Sequence, residues 1–493
     1  MLTKSNFIGF SQCPKRLWLE KHRKDLLPTE IDPVRQRIFD EAQEVELLAT
    51  QLFSGIAQAY DGNFGQAFFK TERLIRQGAK AVYQPSFRTR NGLFCRSDII
   101  ARNGHDRWDL YEIKSSTRPK DEHFLDLAFQ RIVLEDVGLG VGKTFVIHVN
   151  TDYVRNGPID PAGILTVSDV TDDVEAVMPR VYADIGPAMD VMGKDSEPAV
   201  PILNQCHRPF ECPFVGYCWR DVPKDSVHRL GLDDGPLSGF LDQGTVLAKD
   251  VPEEAVTARG KRLYLQSLKL GRPIIDRESV IGWLRQLRYP ICHLDYETFA
   301  SAIPLFDGYR PYQQMPFQYS VHVQDSPGAD IRHFEYLAET WGDPVPKLAE
   351  SLSGVIGSGG TVMSWYSVFE SGRNDEMGAH LPEFAEFFSS VNSRMVDLME
   401  PFKEGMYADC RFGGSASLKA VLPVLVPSLS YKGLGIGNGG LASVQWRKMV
   451  DRHTSAEESR KIRADLLEYC GQDTLAMVRI LEVLEGLRKK TDP

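Results

Sequence analysis

Two groups of acidic residues in this sequence have the residue types and spacing that metal-dependent phosphodiester cleavage requires. The first group is Asp98 followed by the triplet Glu112-Ile113-Lys114. The second group consists of Asp295-Tyr296-Glu297 together with Tyr469 and Asp473 near the C-terminus. Carboxylates bind divalent cations, and a nearby lysine or tyrosine orients water and stabilises charge on the phosphate. The sequence therefore predicts two nuclease centres on one chain.

The first group fits two neighbouring strands and the helix that follows them. Residues i and i+2 of a strand point to the same face, so Glu112 and Lys114 project together. A hairpin partner strand brings Asp98 beside them, with both carboxylates binding metal. Gln130, on the next predicted helix, orders this site or contacts the phosphate.

The second group fits one strand and one helix. Asp295 and Glu297 share a strand face and are expected to bind one or two Mg²⁺ or Mn²⁺ ions. Tyr469 and Asp473 are four residues apart, which makes them neighbours on one face of a helix. We expect Asp473 to complete the metal site and the Tyr469 hydroxyl to position the attacking water.

Four of the eight cysteines have the spacing of a metal-cluster site. Cys206, Cys212 and Cys218 follow one another at intervals of six residues, and Cys13 lies far upstream in Cys13-Pro14-Lys15-Arg16. Four thiolates bind either an iron–sulfur cluster or Zn²⁺, and both alternatives stay open, with redox disulfides as a weaker third. The remaining cysteines are interpreted as small buried residues: Cys95, Cys292, Cys410 and Cys470.

Length and composition predict a cytoplasmic protein of two or three domains. The chain has 493 residues, of which 42% are hydrophobic. Its first twenty residues lack an apolar signal region, and no stretch approaches the roughly 20 apolar residues of a membrane span. The net charge of −10 argues against broad electrostatic binding of nucleic acid. One candidate surface for binding nucleic acid is a local basic strip, formed by Lys15, Arg16, Lys21, His22, Arg23 and Lys24 with Trp18 among them. The same residues are interpreted equally well as a solvated helix face.

Hydrophobic periodicity predicts an α/β fold in both halves of the chain, with domains 1–222 and 286–493 and a helical connector 223–285. The predicted strands are Val82–Phe87, Leu93–Ala101, Trp108–Ser115, Thr144–Val149, Ile291–Phe299, Phe317–Val323 and Thr361–Tyr366. The predicted helices are Asp32–Phe53, Asp121–Asp136 and Ser455–Leu487. Residues Asn103–Asp106 have the composition of a hairpin turn.

Residues 7–220 resemble the RecB-type PD-(D/E)-x-K nucleases that carry an iron–sulfur cluster, a group that includes the CRISPR adaptation nuclease and AddB subunits. The resemblance rests on the Cys-Pro-x-Arg opening, the Asp and Glu-x-Lys residues, the helical Gln and three closing cysteines. It implies a restriction-endonuclease-like fold with catalytic Asp98, Glu112 and Lys114. It also implies that a 4Fe-4S cluster is bound by four residues: Cys13, Cys206, Cys212 and Cys218.

Three positions depart from that family's pattern. Gln43 replaces a metal-binding His on the early helix, Gln84 replaces a Glu one strand before Asp98, and Leu134 replaces a Tyr four residues after Gln130. These replacements reduce the number of side chains that can bind or position a metal ion in the first centre. The first centre is therefore expected to cut weakly or to bind DNA ends rather than cut them.

Residues 289–490 resemble the DnaQ-type 3′–5′ exonucleases of the RNase H-like fold, in the subclass with Tyr in the last motif. The resemblance implies a further acidic metal ligand, for which Glu370 in Ser367-Val368-Phe369-Glu370 is the best match. Asp397 and Asp409 are less favoured substitutes. Lys419 is interpreted as a surface lysine that could approach a phosphate, and Gly433–Gly440 as a flexible loop near the substrate.

The predicted function is that of a cytoplasmic, metal-dependent nuclease that processes single-stranded or frayed DNA ends. A 3′–5′ exonuclease and a RecB-like nuclease on one chain suit repair, recombination or defence, including CRISPR spacer processing by analogy, with repair or CRISPR adaptation proteins as partners. Three alternatives remain. Only the exonuclease is active and the first domain binds DNA; the substrate is RNA; or both centres have decayed and the chain is a nucleic-acid-binding adaptor.

Overall fold

The computed structural model describes residues 1–29, 31–104 and 107–489. His105 and Asp106, the second half of the predicted hairpin turn, lie outside the described residues. None of the helices found within these ranges has the length and apolar character of a membrane-spanning segment.

The chain is a mixed α/β protein that divides into two compact units. Unit 1 comprises Met1–Asp221 and Ser301–Gln313, and unit 2 comprises Val222–Ala300 and Gln314–Pro493. The segment 223–285, predicted as a separate connector, groups with unit 2. The short segment 301–313 lies between two strands of unit 2 along the chain but groups with unit 1.

Unit 1 contains nine strands among its described residues: β1 (Leu2–Thr3), β2 (Ala57–Gln58), β3 (Ala81–Tyr83), β4 (Ser86–Arg88), β5 (Leu93–Arg96), β6 (Ile99–Arg102), β7 (Trp108–Ile113), β8 (Val141–Val149) and β9 (Leu165–Asp169). Its α-helices are α1 (Lys4–Gln12), α2 (Pro14–His22), α3 (Pro33–Thr50), α4 (Phe64–Arg76), α5 (Asp121–Asp136), α6 (Pro161–Ile164), α7 (Thr171–Gly193) and α8 (Val215–Cys218).

A six-stranded sheet with the order β2-β3-β6-β7-β8-β9 forms the centre of unit 1. Strands β6 and β7 are an antiparallel pair, as the sequence predicts, and β7 and β8 are parallel. Parallel neighbours need a crossover connection, which α5 supplies. Helix α5 buries Leu127, Phe129 and Val133 in the core of this unit. The hairpin and α5 are therefore the elements that position the first acidic group.

The predicted strand Leu93–Ala101 is two strands that belong to different sheets. Strand β5 pairs with β1 and β4, whereas β6 pairs with β3 and β7. The chain changes sheets at Ser97 and Asp98, where the Ser97 N–H donates to the Pro85 carbonyl at 3.0 Å. Asp98 thus sits at a sheet corner rather than within a continuous strand.

Unit 2 contains seven strands among its described residues: β10 (Ile274–Ile275), β11 (Ile291–Phe299), β12 (Met315–Gln324), β13 (Ile331–Leu337), β14 (Thr361–Ser364), β15 (Met395–Asp397) and β16 (Tyr407–Ala408). Its α-helices are α9 (Asp234–Asp242), α10 (Arg259–Leu270), α11 (Arg277–Leu284), α12 (Val345–Ser353), α13 (Ser367–His380), α14 (Ala385–Ser393), α15 (Glu400–Lys403), α16 (Leu418–Leu425), α17 (Gly439–Met449) and α18 (Ala456–Lys489).

The main sheet of unit 2 has the order β13-β12-β11-β14-β15. Strands β11, β12 and β13 form an antiparallel meander, and β14 and β15 extend it in parallel. The central strand β11 pairs with β14 only over Ile291–His293. Its second half, from Asp295 onward, runs past the end of β14, and this leaves space beside the acidic residues.

Helix α18 packs against this sheet through a continuous apolar face. Ala476, Met477 and Ile480 are fully buried, and they share a core cluster with Trp283 and Leu284 of α11. This packing fixes the rotation of α18, which decides where its polar residues point. The predicted strand Thr361–Tyr366 ends earlier, at Ser364, because Tyr366 adopts a left-handed backbone (φ 73°) at the start of α13.

Candidate metal centres

The first acidic group gathers where β6 meets β7. The register sets Ile99 opposite Tyr111, and its continuation brings Asp98 beside Glu112. Asp98 Oδ2 accepts a hydrogen bond from the Ile113 N–H at 2.7 Å. The corner geometry therefore holds the Asp98 carboxylate in place through the backbone of β7.

Glu112 is 1% exposed and accepts hydrogen bonds from both of its predicted neighbours. The Lys114 ammonium donates to Glu112 Oε1 at 2.5 Å, and the Gln130 amide donates to Glu112 Oε2 at 2.6 Å. Gln130 is itself fully buried on α5. The structure thus brings together the four residues that the sequence predicts for this centre: Asp98, Glu112, Lys114 and Gln130.

Two further residues of this centre were missed by the sequence reasoning. The Lys4 ammonium, at the start of α1, lies 3.0 Å from Glu112 Oε1 and 3.6 Å from Asp126 Oδ1. Asp126 also accepts hydrogen bonds from Gln130 at 2.9 Å and from Lys114 at 3.2 Å. Asp126 precedes Gln130 by one helical turn, a spacing that could have identified it. Lys4 is more than one hundred residues away in sequence and gave no signal.

The charges of this centre are largely compensated by the protein itself. Burial opposes ionisation of Glu112, but the ammonium groups of Lys114 and Lys4 outweigh it and hold the pKa of Glu112 well below its usual range. Burial, followed by the charge of Glu112, raises the pKa of Asp98 to about 7. A divalent cation at Glu112 would therefore have to share the carboxylate with two ammonium groups.

The early helix contributes Glu46 rather than Gln43. Gln43 is exposed, whereas Glu46, one turn later on α3, accepts a hydrogen bond from the Gln84 amide at 2.9 Å. The charge of Glu46 also contributes to raising the pKa of Asp98. A carboxylate three residues after Gln43 thus lies close to the acidic group from the same helix. Leu134 is fully buried in the core and takes no part in the centre.

The four predicted cluster ligands lie in one region of unit 1, but no three sulfur atoms of these described residues lie within 4.8 Å of one another. The Gln12 amide donates to the backbone carbonyls of Gln205 at 2.8 Å and Phe210 at 2.7 Å, which ties the end of α1 to the cysteine-rich loop. Burial raises the pKa of Cys218 to about 11, and the nearby thiols of Cys13, Cys206 and Cys212 add to this rise. The raised pKa keeps Cys218 a neutral thiol in the absence of a metal, so a metal or cluster bound here would have to displace its proton.

Three residues of the basic strip are ion-paired within their own unit, whereas Lys21 and Lys24 are exposed. These ion pairs are Lys15 with Glu197, Arg16 with Glu20, and Arg23 with Asp25. Trp18 is 8% exposed, and its indole N–H donates to the Lys194 carbonyl at 2.9 Å, so it is not a free stacking surface. The ion-paired residues fit a solvated helix face, and the exposed Lys21 and Lys24 keep the nucleic-acid path as a prediction.

The second acidic group converges beside the open half of β11. Among the described residues, one set of three metal-ligand types has all its donor atoms within 4.8 Å of one another: Asp295, Glu297 and Cys470. Glu297 is 6% exposed and Cys470 is fully buried. Cys470 was interpreted only as a small buried residue, and its position between Tyr469 and Asp473 was the signal that the sequence offered.

Helix α18 supplies the two predicted residues Tyr469 and Asp473, and α16 and its following loop supply two more. The Tyr431 hydroxyl donates a short hydrogen bond to Asp473 Oδ1. The exposed Lys419 donates to the Gly437 carbonyl at 2.6 Å and lies 3.4 Å from the Tyr469 hydroxyl. Lys419 is thus a surface lysine that also borders the centre, and Tyr431 was not identified from the sequence.

The predicted third acid, Glu370, is buried on the first turn of α13. It is 3% exposed, and its Oε2 atom has no hydrogen-bond partner. Its charge contributes to raising the pKa values of Asp295 and Glu297, which places it close to them but outside the three-ligand set. The two less favoured candidates, Asp397 and Asp409, instead stabilise the backbone and side chains next to them. Asp397 accepts from two backbone N–H groups, and Asp409 is ion-paired with Arg411.

Burial dominates the electrostatics of this centre. It raises the pKa values of Asp295 and Glu297 well above their usual range, and Asp473 adds to both rises. Burial also raises the pKa of Asp473 to about 6 and that of Glu370 to about 8. Buried carboxylates at such distances repel one another unless a cation lies among them. The arrangement therefore fits a divalent metal.

The glycine-rich stretch borders this centre. Gly433–Gly440 was predicted as a loop, and its last two residues begin α17, with Asn438 as the N-cap. A Cβ at Gly439 would lie 3.3 Å from Glu297 Oε2. Glycine at this position lets the N-terminus of α17 approach the carboxylate closely.

Comparisons with known proteins give a partial match to a family. A family model described as a domain of unknown function, DUF2779, matches residues 292–417, which contain Asp295, Glu297 and Glu370. An uncharacterized protein of Mycoplasma genitalium is 24% identical over 218 residues, 41% of this chain and 32% of that protein. This chain thus spans about a third of the length of that relative. The crystal structure of SSO0001 matches with 15% identity and a TM-score of 0.21 over 40% of this chain and 77% of that one.

Proposed function

We propose that this protein is a metal-dependent nuclease whose unit 2 removes nucleotides from 3′ ends. The observation that carries the proposal is the convergence of Asp295 and Glu297 from β11 with Asp473 and Tyr469 from α18. These carboxylates are buried, mutually repelling and without a lysine or arginine ion pair among the described residues. Such a set fits one or two divalent cations better than it fits a solvated acidic surface.

The residues of this centre have separable roles. Asp295, Glu297 and Asp473 would hold Mg²⁺ or Mn²⁺, with Glu370 close by. A bound divalent cation lowers the pKa of water and neutralises charge on the phosphate. The Tyr469 hydroxyl orients the attacking water, and Lys419 at the rim attracts the phosphate backbone. Tyr431 holds Asp473 through its hydroxyl.

Fold and sequence pattern support the same proposal. An antiparallel meander extended by two parallel strands is the sheet arrangement of RNase H-like nucleases, and the unit 2 sheet has this order. The acidic residues lie on its central strand and on the closing helix, as expected for a DnaQ-like exonuclease with Tyr in the last motif. The resemblance identified from the sequence thus has support at the level of topology.

For unit 1 we propose a restriction-endonuclease-like, RecB-type domain with a cluster of iron and sulfur at its four cysteines. Strand β7, helix α5 and strand β8 form a βαβ unit. Glu112, Lys114 and Gln130 lie on or directly after neighbouring elements of this unit. The two units together suit processing of single-stranded or frayed DNA ends in repair, recombination or defence, CRISPR spacer processing included. Zn²⁺ in place of the cluster remains the alternative at the cysteines.

A second candidate function for unit 1 is DNA binding without cleavage. The ion pairs of Lys4 and Lys114 with Glu112 favour this candidate, because they already supply positive charge where a metal would bind. The exonuclease of unit 2 would then carry out all of the chemistry.

The test uses anaerobically purified protein, Mn²⁺ and single-stranded DNA labelled separately at its 5′ and 3′ ends. Glu297→Gln is expected to abolish a 3′-end ladder, and Lys114→Ala to remove a distinct second product. Matched controls are Glu335→Gln on β13 and Lys143→Ala on β8, both exposed. If Glu297→Gln alone changes the products, unit 1 is a binding domain.

The same assay distinguishes the remaining alternatives. Cleavage of labelled RNA but not DNA by the wild type would identify an RNA exonuclease. Binding of either nucleic acid without cleavage in Mg²⁺ or Mn²⁺ would overturn the nuclease proposal in favour of an adaptor. Iron and sulfide analysis of the same preparation, with zinc measured in parallel, identifies the group held by the cysteines.

A further inference from the structure

A thiol lies inside the carboxylate set of unit 2. The Cys470 Sγ is 3.6 Å from Asp295 Oδ2. This sulfur and one carboxylate oxygen each of Asp295 and Glu297 all lie within 4.8 Å of one another. Cys470 is fully buried, and α18 holds it one residue after Tyr469. Mg²⁺ is coordinated by oxygen ligands, so binding of Mg²⁺ does not explain why a sulfur lies among these carboxylates.

The sulfur-to-oxygen distance fits a tetrahedral thiophilic metal. Zinc binds thiolate at about 2.3 Å and carboxylate oxygen at about 2.0–2.2 Å in tetrahedral geometry. The edge of such a tetrahedron between sulfur and oxygen is about 3.6 Å long. The measured separation of Cys470 Sγ and Asp295 Oδ2 is 3.6 Å, so the two donors can bind one ion with little movement.

The Glu297 carboxylate is buried without a hydrogen-bond donor among the described residues, which is the independent sign of a cation. Within the described ranges, no residue donates a hydrogen bond to the Glu297 carboxylate, although Glu297 is 6% exposed. The buried Glu370 Oε2 also lacks a partner. Unpaired buried carboxylates are costly, and a cation coordinated by them removes that cost.

We propose that Asp295, Glu297 and Cys470 form a binding site for a thiophilic divalent cation, of which Zn²⁺ is the biological example. On binding, a sulfur–metal bond forms, and the thiol proton is released to solvent, with no change in oxidation state. The proposal rests on the proposed function in one respect, since the site shares Asp295 and Glu297 with the exonuclease centre. Zn²⁺ and the Mg²⁺ or Mn²⁺ that supports cleavage would then compete for these two carboxylates.

The test measures binding, and Cd²⁺ is the probe because a thiolate–Cd²⁺ bond absorbs in the ultraviolet. The full-length protein, Cys470→Ala and Cys292→Ala are titrated with Cd²⁺ while absorbance and bound metal are recorded. Cys292 is the matched control, because it is buried on β11 and outside the ligand set. Since the four cysteines of unit 1 also bind Cd²⁺, the measured quantity is the difference between each variant and the wild type.

We expect Cys470→Ala to lose one bound Cd²⁺ per chain, together with the absorbance of one thiolate, and Cys292→Ala to lose neither. Glu297→Gln keeps the thiol and should weaken the Cys470-dependent binding about tenfold or more. Equal binding and absorbance in Cys470→Ala and wild type would overturn the proposal and leave Cys470 as an S–H donor to Asp295. Circular dichroism checks folding, and Cys470→Ser replaces Cys470→Ala if the alanine variant unfolds.

These outcomes are independent of nuclease activity. A Cys470-dependent Cd²⁺ signal in a protein that cleaves no nucleic acid would sustain the metal site and overturn the exonuclease. Cleavage supported by Mn²⁺ without any Cys470-dependent Cd²⁺ signal would sustain the exonuclease and overturn the metal site.

Discussion

Two lysine side chains share one buried carboxylate in unit 1. Lys4 and Lys114 both contact Glu112, and each also contacts Asp126. Removal of one cation from such a set leaves a buried carboxylate undercompensated, which typically costs several kcal/mol. A divalent cation could then occupy the place of the missing ammonium group. Lys4 therefore supplies, together with Lys114, the charge that a divalent cation would have to replace at this centre.

We predict that Lys4→Met lowers the free energy of unfolding of unit 1 by about 3 kcal/mol in the absence of metal. Mn²⁺ should raise the unfolding temperature of this variant more than that of the wild type, because the ion replaces the lost charge. Scanning calorimetry with and without Mn²⁺ measures both effects. Lys143→Met, which breaks the exposed pair with Asp169, is the control and should change little. An equal Mn²⁺ effect in the variant and wild type would contradict the prediction.

Tyr431 controls the orientation of Asp473 in unit 2. Its hydroxyl donates to Asp473 Oδ1, and no other described side chain from outside α18 is hydrogen-bonded to this carboxylate. Partners of this kind orient metal ligands, and their loss commonly costs 10–100-fold in metal affinity or activity. Tyr431→Phe removes only the oxygen.

We predict that Tyr431→Phe lowers 3′-end trimming about 10–100-fold and raises the Mn²⁺ concentration needed for half-maximal rate. Tyr289→Phe is the matched control, because the Tyr289 hydroxyl donates to Glu485 at 3.0 Å within the same unit and away from the acidic set. Initial rates over a range of Mn²⁺ concentrations distinguish the two variants. The same Mn²⁺ dependence in both would show that Tyr431 has only a structural role.

At the scale of elements, local sequence rules located most of the helices and strands that carry the acidic residues, but not the corner that holds Asp98 or the helix that carries Glu370. Helix α5 begins and ends at the predicted residues, and β11 has the predicted bounds. Their apolar patterns are long and regular, and their ends carry turn residues such as Gly138. The i, i+2 and i, i+4 rules then place Asp295 with Glu297 and Tyr469 with Asp473 on common faces.

The residues that the sequence did not reveal are those joined by long-range packing. Lys4 reaches Glu112 from another helix, and Tyr431 reaches Asp473 from a loop. Cys470 joins Asp295 only because α18 is rotated by its apolar contacts with the sheet. Neither spacing nor composition encodes such contacts, since each depends on how two elements pack.

The N-terminus of helix α5 is stabilised by a histidine, His123, and this contact depends on the protonation state of the imidazole ring. The Lys120 N–H donates to His123 Nδ1 at 3.2 Å, which requires an unprotonated ring nitrogen. Burial, followed by the charge of Lys114, lowers the pKa of His123 to about 4. In the unfolded chain the pKa is about 6.5. Between these values the unfolded chain binds more protons, so the free energy of unfolding falls as the pH falls.

We predict that titration of His123 destabilises unit 1 from pH 6.5 toward pH 4 by at most about 1.4 kcal/mol per pH unit, against an opposite contribution from Asp98, whose pKa is raised to about 7. His123→Gln keeps an acceptor for the Lys120 N–H but removes the titration, so it should lose less stability than the wild type as the pH falls over this range. Urea unfolding at several pH values measures the difference. The exposed His453→Gln is the control. Identical pH dependence in wild type and His123→Gln would refute the prediction.

At the scale of the whole molecule, the division into units does not follow the order of the chain. The sequence predicts a boundary near residue 222 from the proline-containing stretch that begins the connector, and the structure divides the chain after Asp221. The segment 301–313 has no helix or strand and no periodic pattern, yet it groups with unit 1. Ala302 is fully buried in a core cluster of that unit. A chain cut at residue 222 would therefore lack part of unit 1.

Arg155 is one of the residues that anchor this segment, and its removal provides a prediction about the whole chain. Its guanidinium donates to the carbonyls of Pro304 at 2.7 Å and Leu305 at 2.8 Å. Arg155→Ala removes both charge-assisted hydrogen bonds, so the segment should open more often. We predict that chymotrypsin then cleaves after Phe306 about tenfold faster or more, because such cleavage follows the population of the open form. Arg180→Ala, which breaks an exposed pair with Asp184, should leave the rate unchanged. Mass spectrometry of the fragments gives both rates, and equal rates would mean that unit 1 holds the segment by other contacts.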